Sequence, residues 1–162
     1  MSARRLVLAT ACLVVLASPA HAQDDDDARP WGVTIWGLSW HVNQSIDYDE
    51  HNWGVGLRYY LRQHVFVEGD ALRNSNRGLV LPVSIGFELS MGTLFNACHV
   101  SAVGAVTLAY YQNLRTETDY FKFGPVPGVA FRCGRIQPNV IAVLSPHGSL
   151  LAAIVGSVTI RF

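Results

Sequence analysis

Ile154-Val155-Gly156-Ser157-Val158-Thr159-Ile160-Arg161-Phe162 closes the sequence. In an extended strand Ile154, Val158, Ile160 and Phe162 share one side, while Ser157, Thr159 and Arg161 take the other. Alternation with period two that runs onto a terminal aromatic is the pattern of a barrel's closing strand. An ordinary globular domain frays at its terminus, whereas a barrel in hydrocarbon pairs its last strand with its first, because lipid offers no partner to an open sheet edge. The stretch predicts an all-β, eight-stranded antiparallel up-and-down barrel crossing the outer membrane of a Gram-negative bacterium.

The other end of the sequence agrees. Arg4 and Arg5 precede an apolar run from Leu6 to Ala17, and Ala20-His21-Ala22 forms the small-x-small site of a secretory signal peptide. Residues 1–22 are expected to be cleaved, leaving a short acidic leader over 23–31 and a single barrel domain over 32–162. Asp24 to Asp27 reads as a solvated leader rather than a calcium site, because no second cluster of ligands is near in sequence. The formal charge is zero and 50% of the residues are apolar, which excludes nucleic-acid steering and a disordered tail. No later stretch reaches the roughly 18 to 20 continuous apolar residues that a spanning helix needs.

Turn signals divide the remainder into strands over Gly32–Val42, Asn52–Leu61, Val65–Arg73, Leu79–Ser90, Ala97–Tyr110, Val126–Cys133, Ile136–Leu144 and Leu150–Phe162. The connections after the second, fourth and sixth strands are short or plain. Those after the first and fifth, Asn43 to His51 and Tyr111 to Phe123, are long and polar. This asymmetry predicts periplasmic turns, outer loops and both termini in the periplasm.

Parity within strands sorts lipid-facing from inward side chains. Val83, Ile85, Phe87 and Leu89 form one face of the fourth strand, against Ser84, Gly86 and Glu88. In the third, Glu68 and Asp70 point inward, where the second strand offers Arg58, so an interior ion pair is expected. Trp31, Trp36, Trp40 and Trp53, with Tyr59, Tyr60, Tyr110, Tyr111 and Tyr120, are assigned to interfacial girdles.

Of three cysteines, Cys12 leaves with the signal peptide, and Cys98 and Cys133 remain in an oxidising compartment. The strand map puts both near the periplasmic rim of neighbouring strands, with the same lipid-side parity. A Cys98 to Cys133 disulfide is predicted. No histidine stands at ligand spacing from either, so no metal or cofactor is expected.

Polar groups gather at the outer face. His41 closes Ser39-Trp40-His41, Tyr48 to Trp53 lie in and after the first loop, and Arg73-Asn74-Ser75-Asn76-Arg77 forms the loop after the third strand. A histidine, a serine and an amide oriented together can perform acyl transfer, with His41 as general base, Ser75 as hydroxyl participant and Asn74 positioning one of them. The same residue types are compatible with an ordinary polar loop and a surface histidine.

At these residues the chain resembles the outer-membrane lipid A palmitoyltransferases (PagP-like). The resemblance rests on Ser-Trp-His at 39–41, Tyr-Asp-Glu-His-Asn-Trp-Gly-Val-Gly at 48–56, Asn-Ser at 74–75 with Pro82 and Gly86, Pro125-Val-Pro127, Pro138, Pro146 and the closing Arg-Phe. It covers essentially the mature barrel, in order. It implies a barrel that moves an acyl, palmitoyl-like chain from an outer-leaflet phospholipid to lipid A and so modifies lipopolysaccharide. The family's essential histidine and serine match His41 and Ser75. Asn74 stands where the family has an aspartate, and Gln23 to Pro30 are too few for the family's amphipathic helix before the first strand. The family measures acyl length with a glycine at the pocket floor; Gly86 has the inward parity for that role, although a gapless match places Phe87 there.

Pro127 and Pro138 remove ladder donors, which marks them as candidate gates for lateral passage of an acyl chain or as simple strand ends. Two alternatives stand beside acyl transfer. One is a non-catalytic barrel serving envelope integrity or surface interaction, which the missing carboxylate favours. The other is a lipid A deacylase of the PagL type, suggested by His147-Gly148-Ser149 alone. A barrel without an exposed edge has little need of a partner subunit and is expected as a monomer.

Overall fold

The computed structural model describes residues 29–42, 50–75, 77–95, 97–114, 117–144 and 152–162. Its strands are β1 (Trp31–His41), β2 (His51–Arg62), β3 (Val65–Arg73), β4 (Leu79–Leu94), β5 (Cys98–Asn113), β6 (Thr118–Arg132), β7 (Ile136–Val143) and β8 (Ala153–Arg161). They close antiparallel in chain order, with β8 pairing β1 from Gly32↔Arg161 to His41↔Ala153. The expected signal peptide, and the leader through residue 28, lie outside the described residues.

Chemistry alternates across the wall as the sequence pattern requires. Val83, Ile85, Phe87 and Leu89 of β4 face outward, each about half exposed or more, while Glu88 is buried on the other side. Ile35, Val55, Leu57, Val106, Leu108, Val140 and Ile160 continue this apolar exterior around the ring. In β8, Ser157, Thr159 and Arg161 are buried inside and Ile154 and Ile160 are exposed. Much of the outside is therefore apolar and much of the inside polar.

Arg58 organises that interior. Its guanidinium meets Glu68 at 2.7 Å and Glu88 at 3.2 Å, and it covers the Phe66 ring 4.2 Å from the centroid. Tyr60 and Gln137 each donate to Glu88 Oε1, at 3.0 and 2.8 Å. Thr34 donates to Glu68, and Asn139 donates to Ser157 and Thr159. The charges of Glu68 and Glu88 are tolerated this deep because both are paired with Arg58 and hydrogen-bonded.

The end where β1 begins and β8 finishes has tight turns at Gln63-His64 and Cys133 to Arg135; the opposite end carries the connections from β3 to β4 and from β5 to β6. We call these the turn end and the loop end. Two strands run further than their composition suggests. β6 begins at Thr118 rather than Val126, because Tyr120, Phe121 and Phe123 pair in register with β5 through Gly124 and both prolines. The segment Tyr111 to Phe123, expected as a long loop, instead carries ladder pairs out to Asn113↔Thr118. β4 likewise passes Ser90 through a register shift and reaches Leu94.

Some aromatic assignments are corrected. Trp31 packs on Tyr59 at the turn end, centroids 4.6 Å apart, and Trp40 and Trp53 are exposed near the loop end. Trp36 and Tyr60 are buried inside instead: the Trp36 indole donates to Asp70 Oδ1 at 2.8 Å, and Tyr60 joins the Glu88 network. A buried polar tip with a partner explains why these two rings leave the girdle. Tyr111 and Tyr120 also turn inward, on the parity of Val80 and Ala130.

Candidate functional site

The end of β1 is delivered inward by an irregularity. Thr34 and Trp36 face the interior on even positions, the register then shifts between Trp36 and Leu38 against both neighbouring strands, and Ser39 is again buried inside. Strict alternation from Trp36 would turn His41 outward. The bulge at Gly37 removes one residue from the count, and His41 shares the inward side of Ser39 and of its ladder partner Ala153.

There the imidazole meets a hydroxyl from another strand. Ser75 Oγ lies 3.1 Å from His41 Nε2, so with the ring neutral and Nε2 unprotonated the hydroxyl donates to it. Asn52, which enters β2 on the inward parity of Arg58, is 3.3 Å from Ser75 Oγ by its amide nitrogen and donates to Ser39 Oγ at 2.7 Å. Ser39, Asn52 and Ser75 are all buried. Partial burial lowers the His41 pKa from its ordinary value, and the Glu50 carboxylate pulls it upward. A hydroxyl bonded to an imidazole with a lowered pKa is the geometry of an activated nucleophile and its base.

Asn74 works on the turn that carries Ser75. Its Oδ1 accepts from Gly78 N at 2.9 Å, its Nδ2 donates to the Gln112 carbonyl at 2.8 Å, and its backbone N–H donates to Gly78 O at 2.8 Å. The amide that reaches the hydroxyl is Asn52. Sequence reading missed it, although the inward series Asn52, Gly54, Gly56, Arg58 carried the signal.

Below the Ser75–His41 pair lies an apolar cluster, with the Asp70 carboxylate at its edge on the Trp36 indole. Trp36, Ile141, Ala153 and Val155 form one cluster, with Leu72, Val126 and Val143 packed against it. The network around Arg58 lies beneath, capped by Phe66 with Tyr60, Val103 and Ala130. Gly86 faces inward at this boundary, where an added Cβ would overlap the Phe66 ring and crowd Ala105. Phe87 faces outward and is 48% exposed, so of the two floor candidates only Gly86 borders the interior.

The wall is weakest between β6 and β7. Among the described residues their ladder consists of Gly128↔Ile141, Val129↔Val140 and Ala130↔Asn139, with an isolated bridge at Cys133↔Ile136. β5 pairs through Pro125 and Pro127 unbroken, and β8 pairs through Pro138 unbroken, so the missing N–H groups fall on the β6–β7 seam. Pro127 stands where the ladder ends toward the loop end. Pro138 interrupts it on the turn-end side.

Cys98 and Cys133 are disulfide-bonded, with Cα atoms 4.3 Å apart, next to the pair His99↔Arg132 near the turn end. His147 and Ser149 lie outside the described residues. Comparison with known proteins returns no matching family model and no matching curated relative, so what the site does is argued from its geometry.

Proposed function

We propose that this protein is an outer-membrane acyltransferase that moves an acyl chain from a phospholipid to lipid A. The observation that carries this reading is the hydrogen-bonded Ser75–His41 pair at the end of an interior whose next groups are an apolar cluster and then an ionic network. Acyl transfer needs an activated hydroxyl close to apolar groups that can receive the chain, and the cluster of Trp36, Ile141, Ala153 and Val155 supports that reading.

The apolar exterior supports a membrane setting. Its band includes Trp40 and Trp53, which suit an interface, and in such a setting His41 and Ser75 would lie near the headgroups. The β6–β7 seam beside Pro127 supplies a route by which a tail reaches the interior sideways without its headgroup crossing hydrocarbon.

In the proposed reaction His41 takes the Ser75 hydroxyl proton as Oγ attacks the donor ester carbonyl. The lyso-lipid oxygen leaves with that proton, and the acyl group remains on Ser75. A lipid A hydroxyl then gives its proton to His41 and attacks this ester, which restores the Ser75 hydroxyl. Asn52 orients Ser75 throughout, and Asn74 holds the turn.

The test is to express the chain in a Gram-negative host lacking its own lipid A acyl modifiers and to weigh the lipid A. A gain of one acyl chain, abolished by His41→Ala and by Ser75→Ala, supports transfer. Loss of a chain would indicate deacylation instead. Unchanged lipid A from a folded barrel would overturn both and leave a non-catalytic envelope protein, the reading that Asn74 in place of a carboxylate favours.

A further inference from the structure

From Thr118 to Pro127, β6 pairs with β5 on one edge, and among the described residues no ladder pair meets its other edge. Phe121 and Phe123 face outward here and are 71% and 77% exposed. Even-numbered side chains share the inward parity of buried Ala130, which puts Tyr120 and Lys122 on the inner face beside Tyr111. The rings of Tyr111 and Tyr120 stack 4° from parallel, centroids 5.4 Å apart. Lys122 Nζ lies 5.1 Å from the first centroid and 5.4 Å from the second.

Among the described residues Lys122 has no ion pair. Asp119, the nearest acid on its strand, has the opposite parity and accepts from the Tyr110 hydroxyl at 2.6 Å. Aromatic faces hold the ammonium without neutralising it, which leaves its charge for a ligand. The cluster adjoins the candidate site, because Gln112, next to Tyr111, accepts from Asn74, next to Ser75. Lys122 is five residues from Pro127, roughly 16 Å along an extended strand. A lipid whose tail passes the wall at Pro127 therefore has its headgroup at the level of Lys122.

We propose that Lys122, braced by Tyr111 and Tyr120, binds a lipid phosphate at the loop-end mouth and so orients that lipid toward Ser75. The orienting role rests on the acyl-transfer reading; the phosphate site does not. The phosphodiester of a glycerophospholipid and the phosphate monoester of lipid A share the recognised chemistry.

The experiment uses the full chain refolded in detergent micelles and carrying Ser75→Ala, so that binding is read without turnover. Phosphatidylglycerol is titrated against diacylglycerol, and bisphosphorylated lipid A against its dephosphorylated form, by calorimetry. Lys122→Gln is expected to weaken at least one phosphorylated lipid about tenfold, Lys122→Arg to restore most of it, and the phosphate-free lipids to bind all chains alike. The pair that responds names the source. Equal binding of both phosphorylated lipids by the Lys122→Gln chain, or no preference for phosphate in the parent, overturns the inference. A Lys122-dependent phosphate preference in a protein that leaves lipid A unchanged in the cell would keep this site and reject acyl transfer; transfer without that preference would do the opposite.

Discussion

Ser75 Oγ and His41 Nε2 stand 3.1 Å apart, brought together from the turn after β3 and the end of β1. One ends its strand and the other lies in a turn, so truncating either removes chemistry without opening the wall. Ser75→Ala and His41→Ala are each expected to lower acyl transfer by about 10² to 10⁴-fold. Urea unfolding of both variants in micelles should show a loss of about 1 to 2 kcal/mol, the cost of one hydrogen bond between buried or half-buried partners. Full transfer by either variant would remove the pair from the mechanism.

The two amides near the pair make different demands. Asn52→Ala removes the donor to Ser75 and should reduce the transfer rate by roughly tenfold, about 1.4 kcal/mol, with little change in lipid affinity. Asn74→Asp replaces the donor to the Gln112 carbonyl with an anion that cannot donate. On the acyl-transfer reading the expected outcome is a looser turn and slower transfer, even though the substitution restores the carboxylate of the resembling family. A faster Asn74→Asp enzyme would mean that the carboxylate matters more than the turn.

On the proposed reading, acid stops acyl transfer by protonating His41. Burial lowers that pKa, so the acid limb of the rate profile is expected below the ordinary imidazole value. The Glu50 carboxylate favours the charged ring; Glu50→Gln therefore leaves imidazole neutral to still lower pH and should move the limb further toward acid. A limb that moves toward base would contradict the assigned sign.

Arg58 is 1% exposed and serves two carboxylates. Arg58→Met strands Glu68 and Glu88 inside and is expected to cost about 3 to 5 kcal/mol in urea unfolding. Additional replacement of both acids by their amides should recover part of that loss, since amides can bond to each other without a cation.

The disulfide closes a loop between residues 35 apart. Chain-entropy reasoning gives roughly 3 to 4 kcal/mol for such a loop. Cys98→Ser and Cys133→Ser should each abolish the mobility shift between reducing and non-reducing gels and lower the unfolding midpoint, while transfer at low temperature persists because the bond is near the end opposite Ser75.

Strand number, facing and the cysteine pair were legible because each depends on local alternation and turn chemistry. Val65–Arg73 matches β3 at both ends, with Glu68 and Asp70 inward. Three features escaped. Gly37 looks like any strand residue, yet the bulge there decides where His41 points, and a bulge is set by the register of two neighbours rather than by its own residue type. Gly124-Pro125 reads as a breaker, but a proline whose missing donor lies on an unpaired edge costs the ladder nothing. Trp36 and Tyr60 followed a girdle expectation that ignored what their polar tips would bond to; Asp70 and Glu88 supply the answer only once the strands are assembled.

The seam between β1 and β8 joins positions as far apart as Gly32 and Arg161, while every other ladder joins strands adjacent in the chain. Hairpins close small loops and form early; this seam closes the largest loop in the sheet and has the highest entropic barrier. Folding is thus expected to run through an open, curled sheet with two unsatisfied edges, whose ring shuts last. In that interval the first and last strands are the segments exposed to mispairing with a second chain, and the rate of closure, more than final stability, sets the yield of folded barrel.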